Sequence, residues 1–452
     1  MRIIIIGDGK MGFELSRCLS NEGHDIVIID NNPDALRLSS NTQDVACICG
    51  NGIDSDVQIE AGVPGADLVV AVTSKDEINI ICCLIAKKLG VKHTIARVRS
   101  PEMGKSLNFM REELGLSLSV NPEMAAATEI SRMLRVPSAA KVDFFAKGRV
   151  ELVEIKIEEG SPLDGQVLSG LPGRYHVKIL VCAIQRDGEV FIPNGNSVLR
   201  AGDQISISAS PANITQFFRL AGLYNQKARD VMIVGGGMIS FYLSRMLADT
   251  GVKVKIIETD KQRCEELSEL LPKAMVIHGD GSDQEMLHEE GMEETDALVA
   301  LTGLDEENVV ISMYALARKV GKVITKVNHI TFGGILEKAG IRNVITPHLI
   351  AANHILRYVR AMQNSLGSNV EALSRIVNNQ AEALEFRVRS NFSGRDTELK
   401  DLKLKKGLLI ACIIRGAQVI FPSGTDSIRV GDSVIVVTTG TGPDDLNDIF
   451  RS

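Results

Sequence analysis

The chain has 452 residues, 44% hydrophobic and 24% charged, with a net charge of −7. At roughly 100–200 residues per domain this is about two to four domains, with aliphatic cores, since Trp is absent and aromatics are only 4%. A net-negative chain without a clustered basic block is not expected to hold nucleic acid, and no run approaches the ~18 apolar residues of a spanning helix, so a membrane role is expected to come through a partner.

In chain order, Met1–Ile6 is a short apolar run that stops at a Gly-rich turn, too short to read as a secretory leader. Strands are expected at Ile3–Ile6, Asp25–Ile29, Ala46–Cys49, Leu68–Val72, Thr94–Val98 and Leu116–Val120. Between them, Met11, Leu15, Cys18 and Leu19 recur at helical spacing, and so do Ile78, Ile81, Cys82, Ile85 and Leu89, each set predicted to form one buried helix face. Strand–helix alternation predicts βαβ units around a parallel sheet. Asn121-Pro122 then reads as a cap followed by proline, the start of a helix leaving that sheet. Beyond it the pattern shortens to alternating strands at Glu151–Ile157, Lys178–Gln185, Val190–Ile192 and Gln204–Ala209, with Gly and Asp in the turns, as expected of a small α+β domain.

The plan then repeats. RIIIIGDGKMG (2–12) is echoed by DVMIVGGGMIS (230–240), ADLVVAVTSKDEINI (66–80) by DALVALTGLDEENVV (296–310), and FIPNGNSVLRAGDQISISA (191–209) by IFPSGTDSIRVGDSVIVVT (420–438). The expected fold is α/β, two Rossmann-like parallel-sheet domains alternating with two small α+β domains. The expected boundaries are 1–120, a linking helix 121–136 and a small domain 137–224, then 228–345, a linking helix 346–366 and a small domain 367–452.

Gly7-Asp8-Gly9-Lys10-Met11-Gly12 is G-x-G-x-x-G placed after a strand and before a helix, where the mechanism requires it. Gly7 permits the tight turn, Gly9 lets the backbone approach a pyrophosphate, and Gly12 lets helix and strand pack closely. Phosphates would then sit on free N–H groups at the helix N-terminus. Asp30 ends the next strand, 18 residues after Gly12. Its carboxylate would accept from both ribose hydroxyls and repel a 2′-phosphate, favouring NAD or an adenosine nucleotide over NADP. The second copy reads Gly235-Gly236-Gly237-Met238-Ile239-Ser240 with Glu258 at the acidic position; Ser240 replaces the last Gly, which predicts weaker binding there.

Eight cysteines without a C-x-x-C pair read as reduced thiols. His24, His93, His278 and His288 form no visible cluster with an acid or nucleophile. A dehydrogenase would need a proton donor and a substrate pocket beside the nicotinamide, so neither catalytic nor metal-binding residues are expected.

With these residues in hand the chain resembles the TrkA family, NAD-binding regulatory subunits of Trk potassium-uptake systems built from tandem RCK modules. The resemblance rests on GDGKMG (7–12), the strand end at Asp30, AVTSKDEIN (71–79), IARVRSPEM (95–103), GDGSDQEML (279–287) and the late Gly-Asp strands (202–207, 431–436). It implies that Gly7–Met11 hold the pyrophosphate, that Asp30 holds the adenosine ribose, and that Thr73 and Ser74 contact the nucleotide. Arg97 would pair with phosphates or with a neighbouring subunit's nucleotide. In the second half the matching residues are Gly235–Ile239, Glu258, Thr302 and Gly303. Asn51 departs from the Asp the family often places there (compare Asp280), and Lys326 stands where the first half has Arg97; both departures imply unequal sites. The resemblance further implies NAD(H) or ATP/ADP as ligands. It also implies a homotetramer on the cytoplasmic face of the membrane, docked to a Trk-type potassium-translocating subunit. A free-standing nucleotide sensor without a channel partner would look much the same in sequence.

Overall fold

The computed structural model describes residues 1–104, 113–135, 141–223, 228–328, 336, 338–365, 370–377, 380–440, 442–443 and 445–450. The first strands run β1 Arg2–Ile6, β2 Asp25–Asp30, β3 Ala46–Cys49, β4 Leu68–Ala71, β5 His93–Arg97 and β6 Leu118–Val120. Between them lie α1 Lys10–Asn21, α2 Pro33–Thr42, α3 Ser55–Glu60 and α4 Asp76–Lys88. All pairings are parallel, in the order β3-β2-β1-β4-β5-β6. This is the doubly wound order whose reversal point lies between β1 and β4, where such sheets bind ligands at their carboxyl ends. Burial on both faces explains the unbroken aliphatic runs: Ile3, Ile4 and Ile5 of β1 and Leu68, Val69 and Val70 of β4 are fully enclosed.

Helix α5 Pro122–Arg135 follows, starting as expected after Asn121, whose side chain accepts from the Met124 amide at 2.8 Å. The small part contains β7 Lys141–Phe145, β8 Val150–Lys156, α6 Leu171–Tyr175, β9 Leu180–Arg186, β10 Glu189–Phe191, β11 Gln204–Ala209 and α7 Pro211–Leu220. Its antiparallel sheet has the order β10-β9-β11-β8-β7.

The second copy repeats both parts. Strands β12 Asp230–Val234, β13 Lys253–Glu258, β14 Ala274–His278, β15 Ala297–Ala300, β16 Lys322–Lys326 and β17 Asn343–Ile345 alternate with α8 Met238–Ala248, α9 Lys261–Leu270, α10 Gln284–Glu289 and α11 Asp305–Ala317. Their sheet order, β14-β13-β12-β15-β16-β17, is that of the first copy. Then come α12 Pro347–Ser365 and β18 Val370–Ile376, β19 Ala381–Arg387, β20 Leu408–Arg415, β21 Gln418–Ile420 and β22 Ser433–Thr438, ordered β18-β19-β22-β20-β21. The expected alternation of two Rossmann-like and two small α+β parts is therefore the observed fold. Positions 136–140, 224, 366–369, 378–379, 441, 444 and 451–452, on which parts of the expected boundaries fall, lie outside the described residues.

Although the parts alternate along the chain, they group by kind. One compact unit is Met1–Ser131 with Asp230–Leu356, both parallel sheets; the other is Arg132–Arg229 with Arg357–Ser452, both small sheets. In the second unit one apolar cluster draws on both copies, with Phe145, Leu152 and Cys182 beside Ile376, Cys412 and Val437. Within each copy a bidentate pair ties the Gly-Asp turn to a strand. Arg186 donates to both oxygens of Asp203 at 2.7 Å, and Arg415 to both oxygens of Asp432 at 3.0 and 2.8 Å. The late Gly-Asp motif is thus architectural. No helix among the described residues is long and apolar enough to cross a membrane.

Two helix faces differ from expectation. In α1, Met11, Leu15 and Leu19 are buried while Cys18 is half-buried. In α4 the buried residues are Asp76, Asn79, Cys82, Cys83 and Ala86, and Ile81 is 42% exposed. Small side chains let α4 lie close on the sheet, and its two buried polar residues are matched by backbone groups of neighbouring loops. Hydropathy periodicity counts neither effect.

Candidate functional site

The site grows from the first turn. Gly7 has φ +103°, and a Cβ there would come within 2.9 Å of the Thr73 backbone nitrogen, so the end of β1 can touch the end of β4 only through glycine. A Cβ on Gly12 would fall 1.9 Å from the Gly7 carbonyl oxygen. Gly9 is the N-cap of α1 and carries no capping side chain, leaving the first-turn amides open to a ligand.

Asp30, at the end of β2, accepts from the Asp8 amide at 2.5 Å on one oxygen and from the Asn32 amide at 2.8 Å on the other. Each oxygen keeps a lone pair, and Asp30 lines the cavity described below. Asp8 does not line that cavity: its side chain is buried and accepts from Ser39 Oγ at 2.7 Å. Burial pushes the Asp8 carboxyl up to about 6; the Ser39 bond opposes this and the neighbouring Asp30 charge adds to it.

Thr73 and Ser74 follow β4. Both the amide and the hydroxyl of Thr73 donate to Asn79 Oδ1 at 2.7 Å, and Asn79 Nδ2 donates to the carbonyls of Thr73 at 3.2 Å and Arg97 at 2.9 Å. Asn79 is fully buried and staples the ends of β4 and β5 together. Asp76 completes the device by accepting from the amides of Arg99 and Ser100 at 2.8 and 2.9 Å. Sequence reasoning misses both Asp76 and Asn79, although the repeat carries the signal: Asp305 and Asn308 stand at the same spacing after Thr302. There Asn308 accepts from the Thr302 amide at 2.8 Å and donates to the Lys326 carbonyl at 3.1 Å.

Arg97, at the end of β5, is mostly enclosed. It donates to Glu123 at 3.3 Å and to the Thr73 carbonyl at 3.5 Å. Burial lowers its pKa and the Glu123 charge partly restores it.

These elements converge on a cavity of about 970 Å³, at the upper end of the ~300–1,000 Å³ typical of small-molecule sites. It brings together Gly7, Gly9, Lys10, Met11, Asp30, Thr73, Ser74 and Arg97 of the expected set, and adds Asn51, Lys75, Arg99 and Glu123. Gly12 lies behind the turn, packed against Gly7. From the second copy only Gly237, Met238 and Ile239 of the expected set line this cavity, joined by Ser240, Lys326 and Asn328. Gly235, Gly236, Glu258, Thr302 and Gly303 do not.

The second copy keeps the local geometry. Gly235 has φ +101°. Glu258 accepts from the Gly236 amide at 2.6 Å, the Asp260 amide at 2.9 Å and the Thr259 hydroxyl at 3.1 Å. Ser240, in place of the third glycine, is fully buried and donates its hydroxyl to the Gly235 carbonyl. The polar Asp8–Ser39 pair is replaced by Gly236 and Leu267, whose methyl would lie 2.7 Å from a Cβ on Gly236.

The TrkA-N domain family matches residues 3–122 and again 231–347, and the TrkA-C domain family matches 152–222. The Trk system potassium uptake protein TrkA of Vibrio alginolyticus is 33% identical, covering 96% of this chain and 95% of its own length. The TrkA homolog of Archaeoglobus fulgidus is 32% identical over the whole of both chains. Among solved structures, the GsuK channel bound to NAD superposes with a TM-score of 0.64 at 17% identity, covering 97% of this chain and 76% of its own, a likeness of fold. The Vibrio and Archaeoglobus relatives are both Trk system potassium uptake proteins by name.

Proposed function

This chain belongs to the TrkA family, and from that premise we propose that it is a nucleotide-binding regulatory subunit of potassium uptake. On this reading it binds NAD(H) or ATP/ADP in the cavity of its first Rossmann-like part and gates a Trk-type potassium-translocating membrane subunit. It works as a homotetramer on the cytoplasmic face of the membrane. The observation that carries the proposal is the convergence of the Gly7–Met11 turn, Asp30, Thr73, Ser74 and Arg97 on one cavity of about 970 Å³. Asp30 would accept from the adenosine ribose, the open amides at the start of α1 would meet the phosphates, and Arg97 would balance their charge. Gating follows if different nucleotides favour different shapes of the assembly, because a ligand shifts such an equilibrium only by its differential affinity for the two states.

The test is calorimetry of NADH, NAD, ATP and ADP on the full chain beside Asp30→Ala, whose folding is checked by its melting midpoint. The expected result is binding by the wild type that falls about 100-fold in the variant, two hydrogen bonds to a charged acceptor being lost. A wild type that binds none of the four refutes the nucleotide part of the reading. The transport part is tested by co-purification with the membrane subunit and by potassium uptake in cells lacking this chain.

A further inference from the structure

One buried acid of the first turn has no part in holding the nucleotide. Asp8 stands one residue before Gly9, the N-cap of α1, whose first-turn amides are open to a ligand. Its side chain lies off the cavity and is enclosed by the fold. One carboxyl oxygen accepts from Ser39 Oγ of α2 at 2.7 Å, and the other is buried with no hydrogen-bond partner among the described residues. A carboxylate accepts at both oxygens, so a single donor leaves much of a buried charge unsupported.

The groups that face Asp8 do not supply that support. From β2 comes the Asp30 carboxylate, whose like charge disfavours a charge on Asp8. From β3 comes the Cys47 thiol, whose own pKa is raised by burial and by the Asp8 charge. The cations of the flanking helices are placed elsewhere: Arg37 of α2 pairs with Asp34 at 3.6 Å, and Lys10 of α1 is exposed and lines the cavity. Burial, only partly offset by the Ser39 bond, therefore leaves the Asp8 carboxyl titrating at about 6. Another negative charge, brought to the α1 amides one residue along the chain, pushes it further in the same direction. By reciprocity, a ligand that raises this pKa binds more tightly once the proton is on.

Resting on the reading that the first half holds a nucleotide, we propose that Asp8 makes its affinity proton-dependent: the phosphates bind the turn best when Asp8 is neutral, so binding takes up a proton and weakens as pH rises. Affinity is greatest below the free-site value of about 6 and falls with rising pH until it levels off above the higher value of the bound state. The second copy is built without this acid, since Gly236 stands in the place of Asp8 and Leu267 in that of Ser39.

The experiment is calorimetry of NAD and of ADP on the full chain, from about pH 5.5 to about pH 8.5, in two buffers of different ionisation enthalpy, which counts the protons taken up. NAD carries no group that titrates in that range; the terminal phosphate of ADP does, and the variants correct for it. Wild type is compared with Asp8→Asn, an uncharged isostere, and with Ser39→Ala, which removes the one side-chain bond favouring the carboxylate; melting midpoints check the folds. The expected wild-type affinity falls about 10-fold across the range, the effect of a one-unit shift, with proton uptake greatest between about pH 6 and about pH 7. Asp8→Asn is expected to lose the fall and the uptake for NAD, and to bind at high pH about as tightly as wild type does at low pH. Ser39→Ala is expected to move the fall to higher pH. His348 also lines the cavity, and histidine as a residue type titrates in this range; a wild-type profile that persists in Asp8→Asn belongs to such a group and overturns the proposal. Binding that is flat with pH and takes up no proton overturns it too, while leaving the nucleotide reading intact. A wild type that binds neither NAD nor ADP overturns both.

Discussion

At the scale of single residues, the site is built from groups whose local chemistry is unfavourable on its own. Asp8 is the clearest case. Its folded carboxyl titrates near 6 against an ordinary 3.8, because burial disfavours its charge more than the Ser39 bond favours it. A carboxyl raised in this way binds its proton more tightly folded than unfolded, so its stabilising contribution is complete below the unfolded value and is lost as pH rises through the folded one. Asp8→Asn is therefore expected to raise the melting midpoint near pH 7.5 by a few degrees, roughly 2–4 °C per kcal/mol, with the gain gone by about pH 4. Melting curves across that range check it. Gly12 argues in the opposite direction. Gly12→Ala places a methyl 1.9 Å from the Gly7 carbonyl oxygen, and the strain is expected to cost about 1–3 kcal/mol, read by denaturant unfolding. Ser240→Gly in the second half should cost only about 1 kcal/mol, the value of one hydroxyl bond. The glycine turn and Asp30 were legible because their spacing reports local backbone needs. The exchange of Asp8–Ser39 for Gly236–Leu267 was not, because it depends on where α2 and α9 come to rest.

At the scale of elements, α4 and α11 do more than cover their sheets. Each carries an Asp and an Asn, at Asp76 and Asn79 or Asp305 and Asn308, that reach from the helix start to the ends of the two adjacent strands. Asn79→Ala would leave the Thr73 amide and the Arg97 carbonyl buried without this partner, and is expected to cost about 2–3 kcal/mol. It should also weaken nucleotide binding, because Thr73 and Arg97 are positioned through it. Unfolding in urea and calorimetry on the same variant separate the two effects. These helices also explain the misjudged face of α4. Periodicity ranks Ile81 above Cys83 as a core residue, but the close approach of the helix admits cysteine and alanine and leaves Ile81 outside.

At the scale of the whole molecule, the duplicated small parts meet through a reciprocal contact. The buried Glu154 accepts from the Val377 amide at 3.0 Å, and Glu385, its counterpart in the other copy, accepts from the Ala146 amide at 2.9 Å. Ala146 and Val377 both have φ +51°, so each carboxylate holds a left-handed corner of the opposite copy. Glu385→Ala removes the acceptor for the Ala146 amide and for the Ser433 hydroxyl, and is expected to destabilise this unit by about 1–3 kcal/mol. The double variant with Glu154→Ala should cost less than the sum if the two corners act as one interface; a double-mutant cycle in urea measures that coupling. From residue order alone one could determine the strands, the repeat, the glycine turn and Asp30, since hydrophobic period, helix capping and the demand for positive φ act over a few neighbouring residues. Only the tertiary structure could decide that like parts pair with like, that the second half closes the first half's cavity with Lys326, and that buried carboxylates lock corners more than 200 residues away in the chain. Those outcomes depend on the fit of assembled surfaces, which no local pattern encodes.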